Sequence, residues 1–231
     1  MATQALLVRK RRSLWATRNG ILLLLAIVSS AVAWWMIAWA PLTFANAAKH
    51  GGHFAVTYAH VLGGTGMLLF GGANLYLAAA KTNYPLHRLV GRLYLAFGAF
   101  GSLSAIAVTS TMAHKAAGTP VLTNVTVSLL TLACAWLGFA GLGWRAARNR
   151  RFVTHGQWMI RSYILAWSFV FCRIASRVSD IDDLGNGEAF IWLSWVAPLI
   201  VGEMVLQWPD GSARAPRRKS IAPLAADAPA P

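Results

Sequence analysis

Two short stretches of this chain carry the residue types that could do chemistry. One is His87-Arg88-Leu89-Val90-Gly91-Arg92-Leu93-Tyr94; the other is His155-Gly156-Gln157-Trp158-Met159-Ile160-Arg161-Ser162-Tyr163. Each reads His, an Arg five or six residues on, one further residue, then Tyr, and each opens a long apolar segment. A helix N-terminus disfavours imidazolium and so leaves a neutral ring able to bind metal. The same N-termini, with Arg88, Arg92 and Arg161 near, suit an anionic group such as a propionate or phosphate.

Composition says what must position these residues. Of 231 residues, 57% are hydrophobic and 12% charged, about half the charge of an ordinary soluble domain. A net charge of +14 taken alone points toward nucleic acid. Several apolar runs of about 20 residues exclude a basic soluble domain and indicate membrane-spanning helices instead. Cys134 and Cys172 both lie in apolar segments, which predicts free packed thiols. HExxH, CxxC, P-loop and serine-hydrolase patterns are all missing from the chain, so hydrolytic and nucleotide-driven functions lose most of their support.

The apolar runs predict an all-α integral membrane protein, a six-transmembrane-helix bundle. A basic N-terminus, 1–20, precedes a membrane domain, 21–208, and a tail, 209–231, whose Pro, Ala and basic content reads as disordered. The spans are expected at 21–42, 54–80, 85–113, 120–144, 155–176 and 189–208. Ala45-Asn46-Ala47 resembles a signal-peptidase site, but the preceding run is longer than a usual signal peptide core, so a retained helix is expected. Pro85 and Pro120 suit first turns, Thr154-x-x-Gln157 reads as a capping box, and Pro198 as a kink.

Lys and Arg alternate between the two sides. Five in 1–18, three in 81–92, four in 145–151 and four in 214–219 face one each in 43–53 and 113–119. The remaining loop, 177–188, holds four of the seven acids. This satisfies the positive-inside rule with both termini cytoplasmic. The basic side then faces anionic lipid headgroups, with no need of nucleic acid.

In this topology spans three and five run in parallel, so His87 and His155 share the cytoplasmic side. Arg92 and Arg161 lie about 8–9 Å deeper. Glu203 returns to the same depth on span six and is expected to neutralise Arg92 or Arg161 as a structural ion pair. Residues at helical spacing from His87 are Gly91, Tyr94, Gly98 and Ala105. That face, small except for the tyrosine, admits a flat cofactor or a tightly packed helix. On the outer side His60 and His114 form a weaker second candidate pair for a metal or haem. Asn124, Ser128 and Thr131 share a face of span four and read as interhelical hydrogen bonding.

The paired motifs, Leu86-His87-Arg88-x-x-Gly91-Arg92-x-Tyr94 and His155-x-x-Trp158-Met159-x-Arg161-Ser162-Tyr163, resemble the bacterial membrane-protein family catalogued as domain of unknown function 2306. The likeness covers about residues 55–177 and implies an integral membrane protein with no established activity. A weaker likeness is to cytochrome b-561 type electron carriers, in which histidines of four central helices hold two haems. It would match His87 and His155 to the third and fifth helices and His60 to the second. Span four departs from that pattern in having no histidine, so a single haem near the cytoplasmic side is the most it implies.

The resulting expectation is a carrier of b-type haem, with His87 and His155 as axial ligands. Arg88, Arg92 and Arg161 would contact propionates, and Tyr94 and Tyr163 would close the site by hydrogen bonding. Membrane lipids, a quinone or redox partner, and a second copy of the chain are the partners that accompany this reading. Two alternatives stand beside it: a binding or transport protein for an anionic lipid or quinone-like headgroup, and a structural partner in a membrane complex.

Overall fold

The computed structural model describes residues 54–115, 120–168, 170–172 and 184–207, together with Leu24, Ile27, Val28, Ala31, Val32 and Trp35. Every described element is helical: α1 Phe54–Ala80, α2 Tyr84–Lys115, α3 Pro120–Arg148, α4 Phe152–Ala166 and α5 Leu184–Gln207. Among the described residues, four stretches are long and apolar enough to cross a membrane: Ala55–Ala80, Tyr84–Thr111, Thr123–Arg148 and Ala189–Gln207. The six described positions of the first expected span are helical, and Val32 packs on the core. The rest of that span, the Ala45-Asn46-Ala47 pattern, most of the acidic loop and the basic tail lie outside the described residues.

Two tight hairpins organise the bundle. α1 and α2 are joined through Lys81–Asn83, where Lys81 and Asn83 adopt φ of 52° and 47°. Asn83 caps α2, its Oδ1 accepting the Leu86 N–H at 3.2 Å. Pro85, in the first turn, leaves no helical hydrogen bond unmade. α3 continues four residues past its expected end and closes in a Schellman motif: Arg151 N donates to Ala146 O at 2.9 Å and Arg150 N to Ala147 O at 3.0 Å. Arg150 takes the left-handed position, φ 58°, at a cost of about 1–2 kcal/mol for a residue with a Cβ.

The start of α4 corrects one expectation. The helix begins at Phe152 with Arg151 as N-cap and no side-chain cap bond, so Thr154-x-x-Gln157 lies inside the first turns and forms no capping box. The tight Schellman turn imposes that start three residues early. Pro198 lies within α5, which is assigned as one helix from Leu184 to Gln207.

α1 packs most extensively on α2, α3 on α4, and α2 and α3 join the two hairpins; α5 rests on α3 and α4. The close approach of α1 and α2 depends on glycine: a Cβ on Gly63 would land on the Gly101 backbone. Trp192 Nε1 donates to Asn124 Oδ1 at 3.0 Å and Trp195 Nε1 to Ser128 Oγ at 3.1 Å, tying α5 to α3. Thr131 departs from its expected role, donating to the Val127 carbonyl of its own helix at 2.7 Å. Cys134 and Cys172 are free thiols.

Candidate functional site

The periodicity of α2 puts His87, Gly91, Tyr94 and Gly98 on one inward face. Trp136 of α3 fills the space left at Gly98, where a Cβ would strike its indole ring. Asn74 of α1 fills the space at Gly91, its Nδ2 lying 3.1 Å from where a Cβ would stand. Gly71 of α1 likewise makes room for the rings of Tyr163 and Tyr94. The small-residue face therefore receives the protein's own side chains.

At its centre is a hydrogen-bonded junction of three helices. Trp136 Nε1 donates to Tyr94 Oη at 3.3 Å, and Tyr94 Oη and Ser162 Oγ are 2.8 Å apart. Ser162 donates in turn to the Met159 carbonyl at 2.9 Å, which makes Tyr94 the donor to Ser162. Tyr94 and Ser162 are 1% and 0% exposed, so the indole N–H and the two hydroxyl hydrogens of this junction are each paired away from water. The Tyr94 ring meets Trp136 and Tyr163 edge-on, with centroids 5.7 and 6.4 Å apart.

Arg161 lies beside this junction. Its guanidinium forms a bidentate pair with Glu203 of α5, through Nε to Oε1 and through Nη2 to Oε2 at 2.8 Å. It also lies 4.9 Å from the centre of a Trp158 ring. Gln207 Nε2 donates to the same carboxylate at 3.1 Å. Arg92, the other arginine of the two motifs, faces away from this network.

The histidines are held separately. His155 Nδ1 donates to the Gly143 carbonyl at 2.9 Å, and His60 Nδ1 to the Gly101 carbonyl at 3.0 Å; a carbonyl only accepts, so both carry the proton on Nδ1. His87 lies within electrostatic reach of His155 and against the Asn74 backbone. His87 Nδ1 and Asn74 Oδ1 are buried without a hydrogen-bond partner. His114 closes α2, and its side chain lies outside the described residues.

The outer side of α2 borders a different feature. Between α2 and α3 lies a groove of about 450 Å³, open along one side, lined by Arg92, Ala96, Ala99, Trp136, Gly141 and Trp144 among others. Arg92 is its one charged lining residue, and it makes no hydrogen bond or ion pair among the described residues.

The family model for predicted membrane proteins of the DUF2306 type matches residues 57–206. The chain belongs to the DUF2306 family. Comparison with curated proteins and with solved structures finds no match, so the likeness to cytochrome b-561 carriers gains no support there. The match runs past the expected limit near residue 177 and takes in α5 with Glu203.

The fit of a haem to this DUF2306 chain follows from the same geometry. Along the face of His87, Asn74 and Trp136 fill the spaces left at Gly91 and Gly98. Two turns deeper the Tyr94–Ser162 bond joins α2 to α4 and closes the way inward. The groove large enough for a planar group has no His, Cys or Met in its lining. The volume of the groove and the expected axial ligands His87 and His155 lie apart among the described residues.

Sequence reasoning missed Asn74, Trp136 and the groove. Trp136, Ala140 and Trp144 recur at four-residue spacing, a signal for one helix face. Nothing in the chain alone says that Arg92 looks outward while Arg161 looks inward.

Proposed function

We propose that this protein binds an anionic amphiphile, a phosphate-bearing lipid, in the groove between α2 and α3. The observation that carries the reading is Arg92, an exposed cation eight residues inside a membrane-spanning helix, at the head of an apolar groove. A charge at that depth is costly without a counter-charge, and the groove supports an anion accompanied by hydrocarbon. Ala96, Ala99 and Gly141 leave room for an acyl chain, and the Trp144 indole suits the level of the headgroup. Basic pockets between spanning helices on the cytoplasmic side are a recurrent setting for acidic lipid headgroups. The alternation of Lys and Arg along the chain supports that sidedness.

The test uses the full chain, delipidated in dodecyl maltoside and offered dioleoyl phosphatidylglycerol or dioleoyl phosphatidylcholine, with retained lipid counted by native mass spectrometry. Phosphatidylglycerol is retained preferentially, and Arg92→Gln removes the preference. Gly141→Leu adds bulk to the groove wall at a position where a Cβ meets nothing within 4 Å. That variant keeps its melting temperature and loses the lipid. Equal retention of both lipids by wild type and Arg92→Gln would sink the reading.

A further inference from the structure

The mouth of the groove carries more positive charge than one phosphate balances. Arg88 precedes Arg92 by one turn on the same side of α2, and Arg148 follows Trp144 by one turn on the groove side of α3. Arg145, Arg150 and Arg151 continue the charge into the hairpin, and all of these are exposed. Glu203 is the one acid whose side chain is described, and it is committed to Arg161. A singly charged lipid at Arg92 leaves Arg88 and Arg148 without a counter-charge among the described residues.

We propose that the groove selects a lipid with two phosphates over a lipid with one. This rests on the groove being a lipid site. One phosphate is held by Arg92 at the head of the groove and the second by Arg88 and Arg148 at its mouth. Arg88 and Arg92 are separated by about 6 Å along the helix axis, a span that two phosphates joined through one glycerol can match. The guanidinium groups offer paired N–H donors to each phosphate. The apolar length below them accounts for tails; a free polyphosphate would leave it unused.

The experiment titrates the delipidated full chain with tetraoleoyl cardiolipin, dioleoyl phosphatidylglycerol, dioleoyl phosphatidylcholine and inorganic pyrophosphate, again by native mass spectrometry. Cardiolipin binds at least about tenfold more tightly than phosphatidylglycerol. At about 1 kcal/mol for each arginine near a headgroup, or about fivefold, Arg88→Gln with Arg148→Gln lowers cardiolipin affinity about 25-fold. Phosphatidylglycerol binding in that variant stays within about twofold, because Arg92 is untouched. Both substitutions are exposed, and a melting curve matching wild type confirms the fold. Equal affinity for the two anionic lipids, both above phosphatidylcholine, overturns the two-phosphate selection and leaves the lipid site standing. No preference over phosphatidylcholine overturns both. Pyrophosphate binding as tight as cardiolipin, unaffected by Gly141→Leu, assigns the arginines to a soluble anion and overturns the proposal.

Discussion

Replacing Tyr94 by Phe tests whether this residue holds the bundle together. The substitution keeps the ring and removes the hydroxyl of a residue that is 1% exposed. Two hydrogen bonds go with it, the 2.8 Å bond to Ser162 and the 3.3 Å bond from Trp136. Interhelical hydrogen bonds in membranes average about 0.6 kcal/mol and reach about 1.7 kcal/mol. The Trp136 indole N–H, on a side chain only 3% exposed, is then left without an acceptor, which adds about 1 kcal/mol or more. Ser162 keeps its bond to the Met159 carbonyl, so it adds little. The expected loss is about 2 kcal/mol, or about 4–8 °C in melting temperature for a chain of this size. Ser162→Ala leaves the Tyr94 hydroxyl with no acceptor but still able to accept from Trp136, and costs about 1 kcal/mol. The assay is a double-mutant cycle on sodium dodecyl sulfate unfolding in dodecyl maltoside, followed by circular dichroism. A coupling of about 1 kcal/mol between the two sites is expected. A Tyr94→Phe protein within about 0.5 kcal/mol of wild type, or a cycle with no coupling, refutes the junction as a stabilising element.

Two other perturbations separate packing from charge. Gly63→Ala pushes a methyl into the Gly101 backbone and costs about 3 kcal/mol, whereas Gly138→Ala, where a Cβ meets nothing within 4 Å, gains about 0.5–1 kcal/mol. Thermal melts of the two variants should move in opposite directions. Arg161→Leu strands Glu203 and lowers stability by about 2 kcal/mol, while Arg161→Leu with Glu203→Leu recovers most of it. A double variant no more stable than the single one would show that the pair is not simply neutralising charge.

The membrane class was legible in the chain because apolar length and loop charge are local properties. The four membrane-crossing stretches fall within a few residues of the expected second, third, fourth and sixth spans, apart from the longer α3. The cap of α4 was misread because a Schellman turn at Arg150 sets the helix start, and its signal, a left-handed arginine, has no mark in the sequence. Glu203 was expected to meet one of two arginines at equal depth. Choosing Arg161 required the rotation of α4 and α5 about their axes, which apolar segments scarcely encode when nearly every face is hydrophobic. The same ambiguity hid Asn74, which fills the space at Gly91 from a helix whose inward face is not marked by any polar stripe.

The two arginines of the repeated motif show how one pattern serves two purposes. Arg161 turns inward, finds a carboxylate and an indole, and ties α4 to α5. Arg92 turns outward at similar depth and finds a groove lined by small and aromatic residues. If both arginines were structural, evolution of the bundle would have a cheaper alternative at Arg92, because any apolar residue there would face lipid at no electrostatic cost. The inward face of α2 is already closed by Trp136, Ser162 and Asn74, so Arg92 contributes nothing to that packing. Arg92 is thus a charge outside the core packing, on a side of the helix with open volume, and this is what the proposed lipid site draws on. Behind it, the Trp136–Tyr94 hydrogen bond ties α3 to α2, the two helices that border the groove.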